Sequence, residues 1–151
     1  MIYPVVYDIL RNRQEAEDVL QESLIKGFEK LNELREELKY PAWQRRISTH
    51  MALNRLKELN RAETWFAEDM ADEVDEDGLP EIELNSQQIV KCIDQLPEGY
   101  RLVIRLHLLE GWSHEEIAGS LGIQAGSSRS QYTRALSKLR KELMQLHERK
   151  I

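Results

Sequence analysis

Three groups of side chains in this sequence stand close enough together to share a chemical task. His107, Glu110 and His114 are metal-ligating types at three- and four-residue spacing, which on one continuous helix would face a common ion. Gly111 interrupts that run and Ser113 opens a new helix, so the three have no reason to converge and no metal site is expected. The single cysteine, Cys92, shares a helical face with Ile89, Ile93 and Leu96 and reads as a small buried hydrophobe rather than a nucleophile. The third group is a run of hydrogen-bond donors: Arg129, Ser130, Thr133, Arg134 and Lys138, within the acid-free stretch Ser127 to Lys141. Arginine suits two-pronged contact with guanine, Ser and Thr serve bases or phosphates, and the lysines further along suit backbone phosphate. No paired nucleophile and base, glycine-rich phosphate loop or cysteine–histidine cluster is present. The chemistry on offer is recognition rather than catalysis, and no cofactor is expected.

A second acid-free stretch, Tyr40 to Lys57, carries Arg45, Arg46, Arg55 and Lys57. Against it stands a formal net charge of −6, unpromising for a chain that meets a polyanion. Division along the chain removes the conflict. Residues 1–61 hold 11 Lys/Arg against 10 Asp/Glu, residues 62–96 hold 1 against 11, and residues 97–151 hold 9 against 6. The acidity belongs to the middle, and two basic stretches flank it.

The elements that must position these residues are helical. With 41% hydrophobic residues, 32% charged residues, 7 glycines and 4 prolines in 151 residues, the chain is globular and allows long uninterrupted helices. Ala16, Leu20, Leu24, Phe28 and Leu31 form a stripe at helical spacing and predict a helix from Gln14 to about Leu34. Pro41, in a position that a first helical turn tolerates, opens a second helix to about Arg61, with Trp43, Ile47 and Met51 on one face and Leu53 and Leu56 beside them. Acid density, Gly78 and Pro80 make the following segment a linker. From Asn85 a second helical module begins. Ile89, Cys92, Ile93 and Leu96 close one helix, and Pro97 begins another, carrying Leu102, Val103, Leu106 and Leu109, that ends at Gly111.

Ser113 followed by Glu116 fits a capping box that opens a short helix to Leu121, and Gly122 sits where a left-handed residue ends one. A last helix then begins between Gln124 and Ser127 and runs to about Leu146, with Tyr132, Leu136, Leu139 and Leu143 as its buried stripe. This is the layout of a helix-turn-helix, whose second helix enters a major groove. Burying the stripe leaves Arg129, Ser130, Thr133, Arg134, Ser137, Lys138 and Lys141 outward. The expected fold class is all-α. Two small helical modules, 1–61 and 85–151, are joined by an acidic linker, 62–84, and the second contains the helix-turn-helix.

One cysteine rules out an internal disulfide, and no apolar run reaches the length of a membrane span. The apolar start, Ile2 to Leu10, is interrupted by Pro4 and Asp8 and lacks a basic leader, so no signal peptide or membrane insertion is expected and the cytoplasm follows.

With both modules laid out, the chain resembles the extracytoplasmic-function class of sigma factors along nearly its whole length. Glu-Ala-Glu-Asp-Val-Leu-Gln-Glu-Ser-Leu-Ile-Lys-Gly-Phe, residues 15–28, is similar to that family's core-polymerase-binding helix. Trp43, Arg45-Arg46-Ile47 and Ala52-Leu53-Asn54 are similar to its promoter-melting helix. Leu96 to Val103, Glu110 to Ala118 and Gly126-Ser-Ser-Arg-Ser-Gln are similar to its second module. The resemblance implies an alternative sigma factor that binds bacterial RNA polymerase core and directs promoter recognition.

It also implies roles for particular residues. Asp18, Gln21 and Glu22 would bind polymerase. The loop Arg35 to Tyr40, including Lys39 and Tyr40, would hold the separated minus-ten strand together with Trp43, Arg46, His50 and Asn54. Arg129, Ser130, Thr133, Arg134 and Lys138 would read the minus-thirty-five duplex. An anti-sigma factor is the further partner implied, and about one more helix-length is implied before Tyr3. His50, Glu36 and Leu38 stand where the family usually has asparagine, glycine and serine, which bears on base preference in the loop. Gln124 stands where a serine usually caps the recognition helix, a loss of about 1 kcal/mol at most. The alternative function is a stand-alone helix-turn-helix regulator, which would bind duplex DNA tightly without polymerase.

Overall fold

The computed structural model describes residues 1–59 and 83–150, and no strand occurs among them. The described residues form seven helices: α1 (Tyr3–Leu10), α2 (Arg13–Glu29), α3 (Tyr40–Glu58), α4 (Ser86–Asp94), α5 (Glu98–Ile104), α6 (His114–Leu121) and α7 (Ala125–Lys150). The all-α class expected from periodicity is the class observed. The chain divides into two compact units, one within residues 1–61 and one within 62–151. Of the acidic segment 62–84, all but Glu83 and Leu84 lies outside the described residues.

The first unit packs α1, α2 and α3 against one another. α1 forms where no helical period announced one. Pro4 takes its first turn, and Val5, Val6, Ile9 and Leu10 are all buried. Arg11 ends it in the left-handed region at φ 51°, its guanidinium 2.5 Å from Asp8. Asn12 then caps α2, accepting the Glu15 amide at 3.0 Å. α2 ends at Glu29 rather than Leu34, and a short helical turn, Leu31–Glu33, follows.

Of the stripe expected to build this core, only Ala16 is fully buried. Leu24, Phe28 and Leu31 are 42%, 77% and 44% exposed, and the buried face of α2 is Ala16, Val19, Ser23 and Gly27. The cause is the close approach of α3. Gln44 is fully buried and lies over Gly27, where any Cβ would clash with the Gln44 amide oxygen. The Gln44 Nε2 donates to the Ser23 carbonyl at 2.9 Å, and the Ser23 and Ser48 hydroxyls meet at 2.8 Å. Polar groups paired in this way can be buried without a large desolvation cost. Ala52, Leu53 and Leu56 complete the α3 contribution, while Trp43, Ile47 and Met51 are only half-buried.

In the second unit, Asn85 and Gln88 cap α4 reciprocally, with the Gln88 amide donating to Asn85 at 2.9 Å and the Asn85 amide to Gln88 at 3.1 Å. One core gathers Cys92, Ile93, Leu96, Tyr100 and Ile104 with Ala135, Leu139 and Leu143 of α7. α5 continues into one wide turn, Arg105–Leu109, and the chain turns at Gly111 with φ 73°. Ser113 caps α6 by accepting the Glu116 amide at 3.1 Å. Gly122, at φ 72°, closes it, donating to the Ala118 carbonyl at 2.9 Å. α7 begins three residues later and packs on both α5 and α6.

Candidate nucleic-acid interface

α7 presents Arg129, Ser130 and Thr133 to solvent from its N-terminal half, with Arg134 and Lys138 half-buried beside them and Lys141 exposed. The Thr133 hydroxyl donates to the Arg129 carbonyl at 3.0 Å within the same helix. Ser137, expected outward, is 3% exposed. The buried face of α7 is wider than the four-residue stripe, because α5 and α6 both cover it: Ser128, Gln131, Ala135, Ser137, Leu139 and Leu143 are buried, and Tyr132 and Leu136 only partly so.

The start of α7 is tied to α6 by two contacts that no motif announced. The Arg129 guanidinium forms an ion pair with Glu115. One residue earlier on each helix, His114 Nδ1 lies 2.8 Å from the buried Ser128 hydroxyl. His114 also stacks on His107, ring centroids 4.1 Å apart, and Tyr132 sets its edge against His107 at 4.5 Å. The spacing gave these two histidines no reason to meet; the wide turn ending α5 and the tight turn at Gly111 bring them together. His107 Nδ1 is 2.7 Å from the Trp112 carbonyl, an acceptor, so that nitrogen carries the proton. Parallel stacking sends the ring lone pairs in parallel planes rather than toward one point. Among the described residues no three His, Cys, Asp or Glu gather into a group able to hold a metal ion. Burial, His107 and Arg129 hold the His114 imidazolium less stable than usual, Glu115 opposing them, and burial pushes the Tyr132 phenol up.

In the first unit the loop before α3 and the start of α3 border an open pocket of about 400 Å³, lined by Leu34, Arg35, Glu36, Lys39, Ala42, Trp43 and Arg46. The structure therefore brings Lys39, Trp43 and Arg46 to one cavity, with Lys39 Nζ 3.3 Å from Glu36. Tyr40 lies at a tilted 6.1 Å from Trp43, but lines a different groove with Leu20 and Leu24 on the other side. His50 and Asn54 follow Trp43 and Arg46 along one exposed face of α3, beyond the cavity. Burial, Arg46 and Lys26 all lower the His50 pKa, so its ring is biased toward the neutral form. An aromatic face in an open, largely apolar pocket with Arg35, Lys39 and Arg46 in its lining suits an unstacked base.

Asp18, Gln21 and Glu22 are exposed on α2. Glu22 pairs with Arg55 of α3 at 3.1 Å, and Arg55 also meets Glu15 at 2.5 Å and Glu58 at 3.4 Å. This network, led by the Glu15 hydrogen bond, raises the Arg55 pKa. Ile25, 61% exposed, and Phe28 continue the same face beyond the polar trio. These two large hydrophobes add exposed apolar surface beside the polar trio. Periodicity placed Phe28 in a core stripe; the small residues Ser23 and Gly27 on the opposite face were the available signal.

Comparison with known proteins agrees with both units. The family model for Sigma-70 region 2 matches residues 1–62, and that for Sigma-70 region 4 matches residues 86–139. The chain is similar to the extracytoplasmic-function RNA polymerase sigma factor SigW of Bacillus subtilis, with 32% identity over 96% of this chain and 84% of the relative. It is 29% identical to the RNA polymerase sigma-H factor of Pseudomonas aeruginosa, over 96% and 81% of the two chains. Among solved structures it shares its fold with the sigma factor RpoE of Bartonella quintana, solved with the anti-sigma factor NepR. That match has a TM-score of 0.54 and 20% identity, and covers 95% of this chain and 89% of the other. No described helix is long and apolar enough to cross a membrane. On these matches the chain belongs to the extracytoplasmic-function sigma factors, alternative sigma subunits that act with RNA polymerase at promoters.

Proposed function

We propose that the two units divide promoter recognition between separated and paired DNA. Arg129, Ser130, Thr133, Arg134 and Lys138 read the minus-thirty-five element as duplex. Lys39, Trp43 and Arg46 accept a base of the separated minus-ten strand in their pocket, and Tyr40, His50 and Asn54 guide the strand along α3. Asp18, Gln21 and Glu22 contact the polymerase core, with Ile25 and Phe28 extending that surface. The module boundaries follow the same division, 1–61 and 85–151, with 62–84 as the acidic connection. The observation that carries the reading is the pocket that Lys39, from the loop, shares with Trp43 and Arg46, from the acid-free start of α3, in the unit matched by the region 2 family model. Neither unit works as a catalyst; the subunit supplies binding energy and specificity. The complex of the Bartonella protein with an anti-sigma factor supports the same kind of partner here.

Run-off transcription by bacterial core polymerase, with and without this chain across a library of promoter fragments, tests the reading. The expected result is transcripts that depend on the chain, from fragments sharing two spaced motifs. Tight duplex binding by the chain alone, without stimulated transcription, would replace it with a stand-alone regulator.

A further inference from the structure

Glu115 stands in the first turn of α6, and its carboxylate reaches across the helix-turn-helix to the Arg129 guanidinium of α7. Both side chains are more than half exposed, so the pair adds little to folding. Its consequence lies elsewhere. Arginine has many rotamers to lose and presents five N–H donors in a planar fork, of which a carboxylate on one side engages only part. The pair rests on a fixed seat, because the preceding residues, His114 and Ser128, are joined at 2.8 Å and Ser128 is fully buried.

We propose that Glu115 is a specificity-determining positioning residue: it holds the Arg129 fork in the orientation from which its remaining donors meet one base of the minus-thirty-five duplex. This rests on Arg129 being a base contact. The carboxylate acts twice. It orders the arginine before DNA arrives, and it places a negative charge near the phosphates. Because the pair is close to neutral, a duplex that lacks the base engaged by Arg129 gains little from that arginine's charge alone. A bound base therefore gains from Glu115, and a wrong one does not.

The full chain assembled with bacterial core polymerase is used to select from a randomised duplex library, and base preference is read position by position for the wild type, Glu115→Gln and Arg129→Ala. The expected result is that Arg129→Ala flattens the preference at one position, and that Glu115→Gln lowers discrimination at that same position by about tenfold while the other positions keep theirs. With a non-selected duplex, Glu115→Gln is expected to bind more tightly than the wild type at low salt. If Arg129→Ala flattens a position and Glu115→Gln does not, the positioning role is overturned and Arg129 remains a base contact. If Glu115→Gln weakens all positions evenly, Glu115 only supports the fold of α6 and α7 and the proposal is again overturned. If Arg129→Ala flattens no position, the reading of Arg129 itself fails and the proposal falls with it.

Discussion

His114 has its Nδ1 tied to a buried hydroxyl and one ring face covered by His107. Burial disfavours its charged form most, and His107 and Arg129 add to that. Glu115 is the opposing charge, and Tyr132, the other titratable neighbour, stays neutral. Because the folded pKa lies below the ordinary histidine value of 6.5, the unfolded chain takes up this proton first as acid is added. Its stabilising contribution is therefore complete above that pH and is lost as the pH falls through 6.5 toward the folded value. The urea midpoint of the full chain should fall between about pH 7.5 and pH 5.5. His114→Gln should show a smaller fall. His50 is shifted in the same direction in the first unit, so His50→Gln should remove a separate share. An unchanged pH dependence in both variants would show that neither histidine carries it. At this scale the types of Arg129, Ser130 and Thr133 and the absence of acid around them were readable from the chain. Their partners were not. Glu115 and His114 reach the start of α7 through a turn that sets no repeating period, so only the folded geometry could pair them.

A helix face is harder to read than a residue type when the close contact is polar. α2 carries its large hydrophobes at core spacing, yet buries Ala16, Ser23 and Gly27 because Gln44 and Ser48 of α3 occupy the space a large side chain would need. Gly27→Ala should destabilise the first unit by about 1–3 kcal/mol, since the added methyl must displace Gln44. Gly27→Ala combined with Gln44→Ala should lose less than the two single changes together, a coupling that chemical denaturation can read. Phe28→Ser makes the converse prediction. A core phenylalanine would cost about 3–5 kcal/mol on truncation, whereas a side chain 77% exposed should change stability by no more than about 0.5 kcal/mol. The same variant should bind core polymerase more weakly, measured by displacement of a labelled wild-type chain. A large stability loss would return Phe28 to the core. The second unit was more legible, because its boundaries are written in side chains that act locally. Asn85 with Gln88, Ser113 with Glu116, and Gly122 in the left-handed region each mark a helix end without reference to distant packing.

Over the whole molecule, the charge that looks wrong for a DNA-binding protein is concentrated in the middle of the sequence. Residues 62–96 hold 11 acids against Lys91 alone, while α3 and the first half of α7 each carry a basic acid-free stretch. A segment with that linear charge density competes for the same cationic surfaces as a nucleic acid, and polymerase must provide such surfaces along its nucleic-acid channels. Our hypothesis is that the acidic segment mimics nucleic acid in one of them. Replacing Asp72, Glu73, Asp75, Glu76 and Asp77 by their amides keeps size and removes five charges. The expected outcome is weaker binding to core polymerase, with the deficit largest at low salt and vanishing as screening rises, and altered release of short transcripts. Salt dependence is the decisive reading, because a lost contact of shape or packing would weaken binding at every ionic strength. Polymerase affinity and transcript release equal to the wild type across the salt series would reduce the segment to a tether whose charge only keeps it solvated.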